Sequence, residues 1–302
     1  MSSPLFRWVV ATPLPLDQLL EQRGLRSARA DGRVFVDGVR AGSAAVALAA
    51  GAVVEVFAPR PRAAITLLGE SDAVFAVHKP AALPTEPDHS GDDCVLAQLA
   101  RELRVDVTGL FAVSRLDVGV SGVLLVTLGT LSRDRLLAER AAGRVRRRYV
   151  ALSAGVPTPP EGDWREALGG KSHAQRAVDG RDARSAHTHY RVVATAGAVK
   201  RESPRSALLA LSPVTGRTHQ LRVHASAHGA PLLGDRKYGG PARMTTADGS
   251  VLGFAQILLH AAWVEWGREG DRQRVASEPV AALVDAWVAL GGDLAAIQSA
   301  LD

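Results

Sequence analysis

Ser114-Arg115-Leu116-Asp117-Val118-Gly119-Val120-Ser121-Gly122 runs directly into Val123-Leu124-Leu125-Val126 and follows Phe111-Ala112-Val113. An arginine and an aspartate thus sit between two apolar, strand-like runs. Charges so placed cost free energy unless they are paired or used in chemistry. A loop aspartate that caps the next turn is the plainer reading of the same residues. The segment marks residues 111–126 as two strands joined by a polar crossing.

Strand-like runs surround it. Ala73–Val77 is short and ends at Lys79-Pro80, and a proline-studded loop follows to Pro87. Tyr149–Leu152, His189–Val193, Ala207–Leu211 and Leu258–His260 also have β-type patterning. Val95–Leu103 has helical spacing, Leu131–Ala142 reads as one charged helix, and Pro279–Leu301 reads as an amphipathic helical tail. Many strands, few helices and frequent turns predict an α+β domain on a central mixed or antiparallel sheet.

The N-terminal stretch forms a smaller group of elements. Leu16, Leu19 and Leu20 share one helical face before Gly24. Arg33–Val36 alternates as a strand into an Asp37-Gly38 turn, Gly51–Phe57 is another strand, and Pro59–Arg62 reads as a linker. The expected division is residues 1–60 and residues 61–302.

Two further segments carry polar groups within apolar surroundings. Thr215-Gly216-Arg217-Thr218-His219-Gln220-Leu221-Arg222-Val223-His224 reads as a glycine turn and then a strand. Thr218, Gln220, Arg222 and His224 share one face of that strand. A solvated face is the bland explanation. A metal set of His219, His224 and His228 is disfavoured, because alternation separates His219 from His224 and no carboxylate pattern accompanies them. Gly229–Gly239 is a loop rich in turn residues. Between the charged helix and the next strand, Arg144-Val145-Arg146-Arg147-Arg148-Tyr149 sets clustered arginine beside an aromatic. Such a surface holds phosphates and stacks a base.

Composition bounds the rest. The 302 residues are 47% hydrophobic and 22% charged, enough for a large core and against global disorder. The formal charge of +5 suits a nucleic-acid partner. Only four of the 36 basic residues are lysines, however, and arginine-rich, alanine-rich usage also follows from a GC-rich genome. A lone cysteine, Cys94, excludes an internal disulfide and a cysteine-based zinc site. No apolar run is long enough to span a bilayer, and Met1–Val10 does not read as a secretory signal. The expected setting is the cytoplasm, without membrane association, and the expected state is a monomer.

Together these motifs resemble the RluA-type RNA pseudouridine synthases over roughly Ala73–Trp266. The resemblance rests on Lys79-Pro80, Arg115-Leu116-Asp117 with Ser121-Gly122, Arg147–Leu152, Thr215–His224, Pro231–Gly239 and Leu259-His260-Ala261. It implies isomerisation of uridine to pseudouridine in structured RNA, with neither metal nor cofactor. It implies that Asp117 is the catalytic aspartate and that Arg115 enters the space left by the flipped nucleotide. By the same resemblance, Tyr149 stacks on the target base and Arg222 pairs with the aspartate. Whether the carboxylate attacks the sugar or takes a proton stays open. The sequence departs from the family at Ser114, where histidine is usual, at Val120, often threonine, and at Arg147, commonly lysine. Leu16–Phe57 resembles a shortened S4 RNA-binding unit, with only Ser27–Asp31 for its second helix. That pairing implies ribosomal RNA as the favoured partner, with transfer RNA open. The rival readings are a non-catalytic RNA-binding or assembly factor on this fold and, disfavoured with the metal set above, a metal-dependent hydrolase using the histidines.

Overall fold

The computed structural model describes the chain except residues 1–3, 43, 59–62, 89–90, 172–174, 198–204 and 247–248. The linker expected at Pro59–Arg62 lies outside the described residues. By internal contacts the chain forms two compact units: Met1–Ala64 with Ala82–Val107, and Ile65–Ala81 with Thr108–Asp302. Residues 82–107 therefore group with the N-terminal elements.

In the first unit, strands Phe6–Val9, Val53–Val56, Val34–Val36 and Val39–Arg40 form an antiparallel sheet in that order. Helix Leu16–Gln22 buries Leu16, Leu19 and Leu20, the face expected from their spacing. The second helix is a single short turn and a half, Arg26–Ala30. Asp37 and Gly38 have φ of 50° and 80°, the paired left-handed values of a tight hairpin turn. Val95–Leu103 is helical, and the buried Cys94 thiol caps it by accepting from the Ala97 amide at 3.4 Å.

The second unit is α+β. Among the described residues its main sheet has ten strands. Eight run in the order Glu161–Trp164, Thr188–Ala196, Ser206–Pro213, Arg146–Ala154, Leu259–Trp266, Ser121–Leu128, Val74–Lys79 and Thr66–Ser71. Leu110–Ala112 and Gln273–Ala276 pair onto it at Ser121–Leu128 and Leu259–Trp266. Neighbours are antiparallel at every step except one. Ser121–Leu128 meets Leu259–Trp266 in parallel, through only Ser121↔His260 and Gly122↔Ala261. Ser121–Leu128 is buried at every position but the last, which explains its unbroken apolar run.

The tail differs from the single helix expected. It is two helices, Ala281–Ala289 and Leu294–Leu301, packed with Leu283, Trp287 and Ile297 against Val150, Leu152 and Leu208. Gly291, at φ 86°, breaks the first helix, and a side chain on Gly292 would collide with the Trp287 ring. Asp293 then caps the second helix by accepting from Ala295 N at 3.0 Å. An amphipathic pattern continues across such a break, so periodicity alone hides it. Among the described residues no helix is long and apolar enough to cross a membrane.

Candidate active site

The crossing that carries Asp117 is held at both ends. On entry, Val113 N still donates to Leu125 O at 3.1 Å, after which the chain leaves the sheet. Leu116 is buried, so its two neighbours point away from the core: Arg115 is exposed and the Asp117 side chain is 24% exposed. Val120 N closes a turn on Asp117 O at 3.0 Å. The fully buried Lys79 donates to Pro80 O at 2.9 Å and reaches Val118 O at 3.4 Å, tying the turn to the neighbouring strand. On exit, Ser121 Oγ donates to His260 Nδ1 at 2.9 Å, while His260 Nε2–H donates to Ser277 O at 3.1 Å. Burial lowers the His260 pKa to about 4, so the ring is neutral there. Gly122, at φ 115°, lies against the Ala261 backbone, where any Cβ would overlap the carbonyl.

The run expected as a strand from Thr218 is instead a helix, Gln220–Ala227. The alternation of polar residues was misleading because Gln220 through Ala225 are all buried, polar and apolar alike. A short helix whose first six residues are all buried has no solvated stripe to give it a 3.6-residue period. Its start carries no conventional cap signal, since His219 precedes it at φ 59° without a side-chain cap. Gln220 organises the approach. Its Oε1 accepts from Thr215 Oγ1 at 2.7 Å and from Arg217 N at 2.9 Å. Its Nε2 donates to His187 O and to Thr188 Oγ1, both at 2.9 Å.

This helix presents Arg222 to two carboxylates. Nη1 donates to Asp117 Oδ2 at 2.7 Å, while Nε and Nη2 grip the two oxygens of Asp235, each at 2.7 Å. Arg222 and Asp235 are 6% and 1% exposed, so the fork is essentially dry. Burial works against the Arg222 charge, but the hydrogen bonds and negative charge of Asp235 and Asp117 outweigh it and raise its pKa. The Tyr238 ring lies beneath the guanidinium at 4.9 Å, and its hydroxyl meets His219 Nδ1 at 2.6 Å. His219 Nε2 lies 3.8 Å from Asp117 Oδ2. Burial, partly opposed by the Asp117 charge, lowers the His219 pKa to about 4, so this imidazole is also neutral near pH 7.

Tyr149 follows a register shift where strand Arg146–Ala154 pairs with Leu259–Trp266, the extra residue, Ala262, lying on the partner strand, and it is buried. Burial raises its phenol pKa, with the Arg147 and Asp117 charges among its surroundings. Arg147 Nη2 donates to Thr215 O at 2.9 Å, and Arg140 Nη1 to Val113 O at 2.9 Å. Burial and the neighbouring Arg147 charge lower the Arg140 pKa. The rest of the expected arginine cluster is engaged elsewhere. Arg144 pairs with Glu139 at 2.7 Å, Arg146 lies 3.9 Å from Glu265, and Arg148 packs 5.7 Å from the Trp263 ring centroid. Alternation puts residue 148 on the opposite side of the strand from residue 147, so Arg147 alone of the four stays with Tyr149.

The structure therefore brings Asp117, Arg222 and Tyr149 into one neighbourhood, with Arg115 exposed on the same loop. Asp235, Tyr238 and His219 were not singled out from sequence as site residues. The turn-rich Gly229–Gly239 segment was the one available signal for the first two. Of the three histidines weighed as a metal set, His219 stands apart against Tyr238, while His224, which meets Thr188 Oγ1 at 3.0 Å, and His228 both face Glu166, at 3.9 and 2.8 Å.

The family model described as RNA pseudouridylate synthase matches residues 73–227. The dual-specificity RNA pseudouridine synthase RluA of Escherichia coli K12 is 31% identical over 207 residues, covering 65% of this chain and 84% of that protein. The RNA pseudouridine synthase YhcT of Bacillus subtilis, itself uncharacterised, is 29% identical over 184 residues, 60% of this chain and 59% of that one. Among solved structures, human RNA pseudouridylate synthase domain containing 4 superposes with a TM-score of 0.57 at 21% identity, covering 74% of this chain and 92% of that one. Human RNA pseudouridylate synthase domain containing 1 gives 0.57 at 23% identity, with 78% and 94% coverage. The two human structures share the fold.

Proposed function

Because the chain belongs to the RNA pseudouridylate synthase family and is an RNA pseudouridine synthase, we propose that Asp117 is its one catalytic carboxylate. The reaction breaks the bond from N1 of uracil to the sugar, turns the base, and rejoins it through C5. The C5 proton is lost and N1 ends protonated, so no net oxidation occurs. A carboxylate suffices, either attacking the sugar or taking a proton.

The observation that carries this reading is the Arg222 fork, which holds Asp117 while leaving its side chain 24% exposed. Asp235 occupies the other half of the fork and sets its angle. Tyr149 offers a ring on which the extruded base stacks, and Arg147 beside it suits a phosphate. Arg115, exposed on the same loop, is suited to fill the gap the nucleotide leaves. Asp117→Asn keeps shape and hydrogen bonding but removes the charge. Single-turnover pseudouridine formation should be abolished while RNA affinity stays within a few-fold, because phosphate contacts dominate binding. Near-native turnover of that variant would refute the assignment.

We further propose that residues 1–60 form an S4-like unit that contributes binding and no chemistry, and that ribosomal RNA is the target. Support comes from the position of every motif residue after residue 72 and from the pairing of such units with ribosomal RNA enzymes. Reversing the exposed Arg23 and Arg26 to glutamate should weaken binding and flatten its salt dependence, with the rate at saturating RNA unchanged. Unchanged affinity would make the unit structural. Pseudouridine mapping in cells lacking the gene should lose signal in large-subunit ribosomal RNA. Loss confined to transfer RNA would move the target there.

A further inference from the structure

Strands Glu161–Trp164 and Thr188–Ala196 pair antiparallel at the end of the main sheet, with Asp163 directly opposite His189. His187 lies two residues before His189, and extended backbone sends both rings to the same side. His187 Nε2 is 2.9 Å from Asp163 Oδ1, and His189 Nδ1 closes on that same oxygen. The two rings are 4.5 Å apart and steeply inclined, and the three donor atoms all lie within 4.8 Å of one another. We propose that Asp163, His187 and His189 form a binding site for one divalent transition-metal ion of the zinc class, separate from the Asp117 site and not required for isomerisation.

The donor set argues for that class. Two imidazoles and one carboxylate suit zinc, cobalt or nickel, whereas magnesium and calcium favour all-oxygen shells. Tetrahedral zinc with bonds of about 2.0–2.2 Å holds its ligands about 3.3 Å apart. The present donors, all within 4.8 Å of one another, need only small movements to reach that spacing. An ion takes the place of the two N–H donors that now share one oxygen, each imidazole coordinating as the tautomer that carries its proton on the other ring nitrogen.

Supporting contacts hold the ligands in place. Arg165 Nη2 engages the other Asp163 oxygen at 3.1 Å, which leaves Oδ1 facing the imidazoles. His187 is clamped through its backbone: its N–H donates to Thr215 Oγ1 and its carbonyl accepts from Gln220 Nε2, both at 2.9 Å. Such outer contacts orient metal ligands and raise affinity. The His189 and Asp163 side chains are 54% and 32% exposed, so an ion reaches them from solution and water completes its shell. Because His187 also anchors the run that leads to Arg222, an ion here braces the base of that run.

The test uses the full-length protein stripped with EDTA and titrated with zinc chloride by calorimetry and with cobalt chloride by visible absorption. The expected result is one saturable ion per chain and a melting temperature raised by a few degrees at excess zinc. His189→Ala and Asp163→Asn, both at solvent-accessible positions, should each weaken binding by roughly the 10–100-fold of outer-shell changes or more. His228→Ala, which removes the neighbouring histidine–Glu166 contact, should leave binding unaltered. Circular dichroism melts of the metal-free variants verify folding, and His189→Gln replaces His189→Ala if the latter melts early. Absence of saturable binding, full affinity in the folded His189 or Asp163 variants, or loss of binding in His228→Ala would overturn the site.

Discussion

Removing the Arg222 side chain tests how the charges at the site support one another. Arg222→Ala deletes three hydrogen bonds and leaves Asp235, 1% exposed, as a carboxylate without its guanidinium. Breaking a buried pair from one side costs about 3–5 kcal/mol, most of it the penalty of the stranded charge. Asp117 contributes less to that penalty because its side chain is 24% exposed. At ~2–4 °C per kcal/mol, the variant should melt roughly 6–20 °C below the parent. The double variant Arg222→Ala/Asp235→Asn removes the stranded charge and should recover more than half of the loss, since an amide tolerates burial better than a carboxylate. Activity should not recover, because Asp117 still lacks its partner. Urea and thermal melts measure the first effect, and single-turnover pseudouridine formation at saturating RNA measures the second. A double variant no more stable than the single one would refute the stranded-charge argument. Activity regained in the double variant would show that Asp117 does not depend on Arg222.

Two other outcomes follow from the same geometry. Tyr149→Phe should keep base stacking and Tyr149→Ala should lose roughly 1–3 kcal/mol of it, read as a gap in RNA-dependent rate between the two; equal, large losses in both would point to the hydroxyl instead. His260 has a folded pKa of about 4 against 6.5 ordinarily, so the unfolded chain takes up a proton first as pH falls. Its contribution is fully present above about pH 6.5 and is lost on acidification toward about 4, at most ~3 kcal/mol. His260→Gln should flatten stability against pH in that window, and an unchanged slope in denaturant melts would refute the assignment.

Much of the fold was legible because most strands of the second unit are buried on one or both faces. Val123–Val126, Tyr149–Leu152 and Ala207–Leu211 announce themselves as apolar runs, and the structure extends each by a few residues at its ends. Asp37-Gly38 and Val95–Leu103 were legible from local rules that need no tertiary contact. The helix Gln220–Ala227 was not, because enclosure from several sides erased its period. Within the site, Asp117 stood out as a charge amid apolar neighbours. Asp235 did not, because it sits in a loop where aspartate is common and only the fold delivers Arg222 to it. The neutral state of His219 likewise comes from burial that no short motif reports.

The lone parallel step in the main sheet has a consequence for how the enzyme becomes competent. On one side of Ser121↔His260 and Gly122↔Ala261 lie the strands that bracket Asp117; on the other lie those around the helix that carries Arg222. Each side is an antiparallel array in its own right, and the two residue pairs that stitch them along the sheet join positions 139 apart in sequence. Local pairings close quickly, while joins between distant parts of the chain come late. The Asp117–Arg222 contact, between residues 105 apart in sequence, therefore acts as a docking sensor. A partly assembled molecule whose halves have each folded would hold every catalytic group and yet no working pair, so activity would appear only with the final zipping of the seam.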